Sequence, residues 1–236
     1  MSSKKFPTTF WVANLIELVE RWAWYGFFLL LPNYLTGSAE QGCLEFTQAQ
    51  KGTLMGVGTG ILYFLPILTG ALADRWGYKK VFFTAFVVYV SAFLIMPMCT
   101  TYPSFFAAYL LLALGAALFK PIPSATIAKT TNDSNASIGF GIFYMMVNIG
   151  AFFGPLVSLL FKKGDPTMIF YVSAGIIALN FLLLFFYKEP AKSEEELKEK
   201  KSIADIFKNM VYIFQDLKFV VFLVIIAGFW TMYNQL

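Results

Sequence analysis

WVANLIELVERWAWYGFFLLLPNYL, running from Trp11 to Leu35, is long and apolar enough to cross a bilayer, yet it carries Glu17, Glu20 and Arg21 near its middle. A spanning helix needs about 20 predominantly apolar residues. A charged side chain at its centre costs about 2.5–3.5 kcal/mol on insertion scales, so ionisable groups at that depth point to function. Positions i, i+3 and i+4 share a helix face, which sets both carboxylates beside the guanidinium. That face can turn toward a polar cavity while the Phe and Leu residues meet lipid; the plainer reading is a static Glu17–Arg21 pair that ties this helix to its neighbours.

The rest of the chain repeats the apolar pattern. Of 236 residues, 58% are hydrophobic, 14% are charged and 27 are Phe, a profile foreign to soluble domains. We read an all-α polytopic membrane protein with spans near residues 10–36, 48–73, 81–100, 105–128, 138–161 and 168–187, and a seventh opening near 218. The first span is too long and too charged for a signal-peptide core, so it is expected to stay. Lys4, Lys5, Arg75, Lys79, Lys80, Lys129 and Lys188 fall on one side, against Lys51, Lys162 and Lys163 on the other. The positive-inside rule then places the N-terminus in the cytoplasm of a multi-pass cell (inner) membrane protein. The net charge of +4 reflects this bias and is no nucleic-acid signal. Cys43 and Cys99 both map to the outer side, where they can pair or remain two thiols; spacing does not decide between these.

The organisation divides into three parts. Residues 1–187 form two groups of three spans joined by short loops, a six-helix (3+3) bundle. Residues 188–217 bring Glu194, Glu195, Glu196, Lys198, Lys200 and Lys201, with Leu197, Ile203, Ile206, Phe207, Met210 and Phe214 at helical spacing, which reads as a cytoplasmic linker with an amphipathic helix or as a solvated charged linker. Residues 218–236 begin a seventh span. Six helices, a connector and a seventh helix make the first half of a twelve-helix transporter plan, in which solute binds at the midplane between halves. Gly52, Gly56 and Gly60 form an i, i+4, i+8 strip on the second span, and Gly150 with Gly154 repeats the spacing on the fifth. Such strips let helix backbones approach closely, either within the six-helix unit or against a second one.

Five stretches carry a resemblance. Gly70, Leu72, Ala73, Asp74, Arg75, Gly77, Lys79 and Lys80 resemble the loop between helices 2 and 3 of the major facilitator superfamily, G-x-L-a-D-r-x-G-r-k, whose role as a conformational latch would rest on Gly70, Asp74, Arg75 and Gly77. Asp74 beside a helix start can cap it, while the basic residues meet cytosol and phospholipid headgroups. Glu17, Glu20, Arg21, Trp22 and Tyr25 resemble the E-x-x-E-R-F-x-Y-Y motif of that superfamily's proton-dependent oligopeptide transporters, with Trp22 in place of Phe and Trp24 in place of the first Tyr. Lys120 before Pro121 resembles that family's buried lysine, the run Phe143, Tyr144, Asn148 and Gly150 resembles its helix 5 signature, and Phe229, Trp230, Tyr233 and Gln235 resemble the start of its helix 7. The chain departs from the family at Asn234, where an acidic residue is usual, and along Phe119–Lys120–Pro121–Ile122–Pro123, where a Gly-rich approach and an Asn are usual.

The resemblance implies a proton-coupled symporter of di- and tripeptides or related small solutes, working by alternating access. Glu17 and Glu20 would couple the proton, and Arg21, Trp24, Tyr25, Tyr63, Lys120 and Asn148 would bind substrate. Two acids and two bases make a formally neutral set that protonation turns positive, ready for a substrate carboxylate. Pro121 and Pro123 are expected to kink the fourth span beside Lys120 and to free carbonyls for a cavity. Protons are the expected coupling ion, with no cofactor and no metal, since the sequence offers no metal-ligand set, nucleophilic triad or phosphate loop; an enzyme is not expected. The expected partners are a small peptide, the lipid bilayer and either a C-terminal transporter half or a partner membrane subunit, because Gln235 and Leu236 fall inside a recognisable motif. Two alternatives stay open: a membrane-embedded interaction or scaffold subunit derived from a transporter half, and a major facilitator carrier for a non-peptide solute, favoured by Asn234 and the altered fourth span.

Overall fold

A computed structural model of the protein describes residues 5–160, 165–191, 215–222 and 224–226. The described residues contain helices and no strand: α1 (Thr8–Thr36), α2 (Gln48–Trp76), α3 (Tyr78–Ile95), α4 (Tyr102–Phe119), α5 (Pro121–Thr130), α6 (Ala136–Leu160) and α7 (Met168–Phe186). Among the described residues, five segments are long and apolar enough to cross a membrane: α2, α3 with the turn after it, α4 with α5, α6, and α7. α1 has 29 residues like α2, and is set apart by its three charges. The chain divides into a unit of residues 1–191 and a second of residues 192–236. Of the second, the described residues form a short apolar helix from Leu217, opened by the Asp216 carboxylate, which accepts the Lys218 N–H at 2.9 Å. The linker residues named above, Glu194 to Phe214, and the seventh-helix residues Phe229 to Leu236 lie outside the described residues, as do Lys4, Lys162 and Lys163.

Each helix boundary follows from local chemistry. α2 opens on a capping box, with the Thr47 hydroxyl accepting from the Gln50 N–H and the Gln50 side chain accepting from the Thr47 N–H, which satisfies two of the orphan donors of the first turn. It closes at Gly77, whose φ of 95° is open to glycine at little cost. The fourth expected span is two helices rather than one, because Pro121 and Pro123 lack the amide hydrogens that would carry the ladder past Lys120.

The core is aromatic. Phe82, Phe86, Tyr89 and Phe93 recur on one face of α3 and are fully buried. Phe82 and Phe86 meet Phe119 of α4, Phe86 meets Phe181 of α7, and Phe93 meets Phe27 of α1 at 5.1 Å. α1 runs between α6 and α7, α3 lies against α4 and α7, and α2 against α4. The α1–α6 crossing is tight enough to exclude side chains: a Cβ on Gly150 would stand 2.6 Å from the Leu18 carbonyl oxygen, and one on Gly154 would stand 2.7 Å from the Gly26 amide nitrogen. The second-span strip does something else. A Cβ on Gly52, Gly56 or Gly60 meets nothing within 4 Å, so this strip does not pack inside the unit; the glycine of α2 that does is Gly58, pressed against the Tyr109 ring of α4.

Candidate functional site

Glu17, Glu20 and Arg21 stand within one turn of α1, at the level where α6 presses on it. The Arg21 Nε donates to Glu20 Oε2 at 2.5 Å and lies 3.3 Å from Glu17 Oε1. Both acids are buried, Glu20 completely. α6 fixes the other side of the arginine, since the Cβ position of Gly150 is 2.8 Å from Arg21 Cβ. A residue without any motif completes the cluster: Tyr89 of α3, itself fully buried, donates its hydroxyl to Glu20 Oε1 at 2.6 Å. The sequence gives no local hint of this bond, which spans 69 positions.

Lys120 sits apart from this cluster. Its charge acts on Glu17, Glu20 and Arg21 through space, but its Nζ lies over the Tyr63 ring at 4.0 Å and 3.4 Å from the Leu62 carbonyl oxygen. The reason is a pair of prolines. Pro66 removes the amide that would bond the Leu62 carbonyl, and Pro121 removes the one that would bond the Ala117 carbonyl. Each orphan is served from the facing helix: Leu62 by Lys120, and Ala117 by the Thr69 hydroxyl, which donates at 2.6 Å in a buried setting. Side chains from neighbouring helices commonly re-satisfy carbonyls freed in this way. The carbonyl freed at Ala117 therefore holds α2 to α4 and is not left for a cavity.

The remaining expected binding residues differ in their surroundings. Tyr25 and Tyr63 are exposed on this unit, Tyr63 at 68%. Asn148 lies in a groove along α6 with Tyr144, Met145 and Phe152, its amide donating back to the Tyr144 carbonyl at 2.9 Å. Trp24 is half-buried and stacked on Phe28 at 5.4 Å. The structure thus joins Glu17, Glu20 and Arg21, joins Lys120 with Tyr63, and leaves Trp24 in aromatic packing.

At the other end of the unit, the α2–α3 loop residues are knitted together by the end of α7. The carboxylate that meets the α3 N-terminus is that of Glu189, accepting from the Tyr78 and Lys79 N–H groups. Asp74 Oδ1 accepts from the Tyr78 hydroxyl at 2.8 Å and faces Lys129 at 3.8 Å. Lys79 reaches the Tyr187 carbonyl, Thr9 of α1 the Lys188 carbonyl, and Thr126 of α5 the Tyr187 hydroxyl. Burial pushes the Tyr187 phenol above its usual range. Gly70 lets α2 approach Pro121, at 3.5 Å from a Cβ built there, while Arg75 is exposed. Near the opposite end, Cys43 and Cys99 are free thiols, and burial pushes that of Cys43 up. No group of three His, Cys, Asp or Glu side chains fit to hold a metal occurs among the described residues.

Comparison with known proteins adds to this geometry. The profile of the Major Facilitator Superfamily matches residues 14–236. The chain is 31% identical over 187 residues to the uncharacterized transporter YclF of Bacillus subtilis, which covers 75% of this chain and 35% of that protein. It is 27% identical over 149 residues to the peptide transporter YePEPT of Yersinia enterocolitica, covering 61% and 29%. In structure it resembles a mutant of the peptide transporter POT in complex with sulfate, with a TM-score of 0.72 at 21% identity, over 91% of this chain and 46% of that one. The chain spans less than half the length of each of these proteins.

Proposed function

The chain belongs to the Major Facilitator Superfamily, and from that membership we propose that it supplies the N-terminal six-helix bundle of a proton-coupled symporter for di- and tripeptides or related small solutes. The observation that carries this reading is the buried Glu17–Arg21–Glu20 cluster inside a helix of spanning length. Two carboxylates and two cations, Arg21 and Lys120, balance when all are ionised. A proton taken up by one carboxylate leaves the site net positive, so it favours a solute carboxylate, and the bound solute in turn favours the proton. One charge moved down about 100 mV supplies about 2.3 kcal/mol, close to a 50-fold concentration ratio when about 1.4 kcal/mol is tenfold.

The uncovered side of the unit supports a second bundle as partner. Lys120, Tyr63, Tyr25 and Asn148 are all exposed on this unit, and the strip Gly52–Gly56–Gly60 shares the Tyr63 side of α2 by helical period. A C-terminal half or partner membrane subunit laid on this side would close the site at the midplane. The α2–α3 loop with Asp74, Arg75 and Gly77 would latch one state of the cycle, held by Glu189. We place the protein in the cell membrane with its N-terminus in the cytoplasm.

The test is uptake of a labelled dipeptide into membrane vesicles holding the chain with its complementary bundle. An acidic exterior is expected to drive uptake, and a protonophore to collapse it. Uptake that ignores the pH gradient overturns proton coupling, and no dipeptide uptake overturns the peptide reading.

A further inference from the structure

Glu17 and Glu20 look equivalent in the motif, but their surroundings differ. Glu20 has both oxygens engaged: Oε1 accepts from the Tyr89 hydroxyl at 2.6 Å and Oε2 from Arg21 Nε at 2.5 Å. Glu17 meets only Arg21 among the described residues, at 3.3 Å. Tyr89 is held firmly enough to matter. Gly115 of α4 brings its Cβ position to 3.1 Å from the Tyr89 amide nitrogen, and the Tyr89 ring lies over Phe93 at 6.0 Å with 22° between planes. A glycine at 115 thus lets α4 lie close against the α3 backbone at Tyr89, whose side chain is fully buried.

We propose that Tyr89 is a positioning residue that divides the work of the two carboxylates: it holds Glu20 as the fixed partner of Arg21 and leaves Glu17 to exchange the coupling proton. The proposal rests on the proton-coupled reading and deepens it. A proton added to Glu20 weakens two short donated bonds at once, whereas one added to Glu17 weakens a single longer contact. Other charged or titratable groups that face the cluster are few. α3 brings Tyr89 and the α4–α5 junction brings Lys120. α6 and α7 meet this part of α1 through Gly150 and through Ser173, whose hydroxyl lies 3.5 Å from the Ala23 carbonyl oxygen. The step itself is a proton transfer: Glu17 takes a proton from water on one side as a carboxylic acid and returns it to water on the other, and no electrons move. Once Glu17 is neutral, Arg21 remains on Glu20, and Lys120 becomes the uncompensated charge.

Infrared difference spectra of the full chain in lipid bilayers, recorded through a pH titration, read protonated carboxyl groups directly and need no transport. The wild-type protein is expected to show a buried carboxyl band that is lost in Glu17→Gln and kept in Glu20→Gln. Tyr89→Phe removes only the hydroxyl; it is expected to add a second band, which Tyr89→Phe with Glu20→Gln abolishes. A band that follows Glu20 in the wild-type background, or one that Tyr89→Phe leaves unchanged, overturns the proposal while proton coupling stands. A wild-type spectrum with no buried carboxyl band at any pH overturns both. Should Tyr89→Phe fail to insert, the two single Gln variants still decide which carboxylate titrates.

Discussion

Two glycine strips with the same spacing have opposite fates. On α6, Gly150 and Gly154 admit the backbone of α1 so closely that any side chain would collide with Leu18, Arg21, Tyr25 or Gly26. On α2, Gly52, Gly56 and Gly60 meet nothing within 4 Å. The difference teaches that glycine spacing tells how near a neighbour can come, and leaves open which neighbour it is. The α6 strip builds the site, since Gly150 sets the Arg21 side of the ionic cluster. The α2 strip lies on the side where the proposed second bundle would dock.

The comparison breaks most visibly at the α1–α6 crossing. Gly154→Leu forces backbone against backbone and is expected to cost about 3 kcal/mol or more, read as a lower midpoint when the purified protein is titrated with sodium dodecyl sulfate in mixed micelles. An unchanged midpoint would mean that the crossing is looser than described. On the packed side of α2, Thr69→Val removes the donor that serves the Ala117 carbonyl freed by Pro121. The loss is expected to be about 1 kcal/mol, with Thr69→Ser recovering most of it in the same titration. On the open side, Gly56→Ala is expected to leave stability level or raise it by about 0.5 kcal/mol, as alanine does for glycine within a helix. Uptake by the complemented transporter should nevertheless fall, because the added methyl keeps the second bundle at a distance. If Gly56→Ala destabilises the unit as Gly154→Leu does, the two strips are alike after all.

The smallest effect is chemical. The loop after α1 folds back so that Cys43 Sγ lies 2.8 Å from a Cβ position on Gly37, and burial lifts its pKa above the ordinary thiol value. Because the thiolate is the reactive form, maleimide labelling of Cys43 should be slow at neutral pH and rise with pH later than for an exposed thiol. Labelling as fast as that of an unfolded chain would show that the loop is open.

Much of the architecture was legible because bilayer thickness constrains it. The apolar runs at 10–36, 48–73 and 168–187 are close to α1, α2 and α7, and the charged triad of α1 stands out against its own span. Prolines 121 and 123 announced the break between α4 and α5. Other features were not readable, for physical reasons. Tyr89 is one of 12 tyrosines, and nothing near it in sequence shows that its hydroxyl reaches Glu20. Glu189 caps α3 from 111 positions away, a service that Asp74 seemed placed to give. Lys120 was expected inside the carboxylate cluster, but a carbonyl freed by Pro66 and the face of Tyr63 draw its ammonium to α2. Local pattern records helix length and polarity; partners chosen across the fold leave no local trace.

The central claim is that the buried cluster of α1 couples a proton to solute movement. It is tested most directly by comparing pH-gradient-driven uptake with gradient-free exchange of a labelled dipeptide, in wild type and in Glu17→Gln, in vesicles holding the complete transporter. The account predicts that Glu17→Gln loses driven uptake while exchange persists. Driven uptake equal to wild type in Glu17→Gln would contradict it.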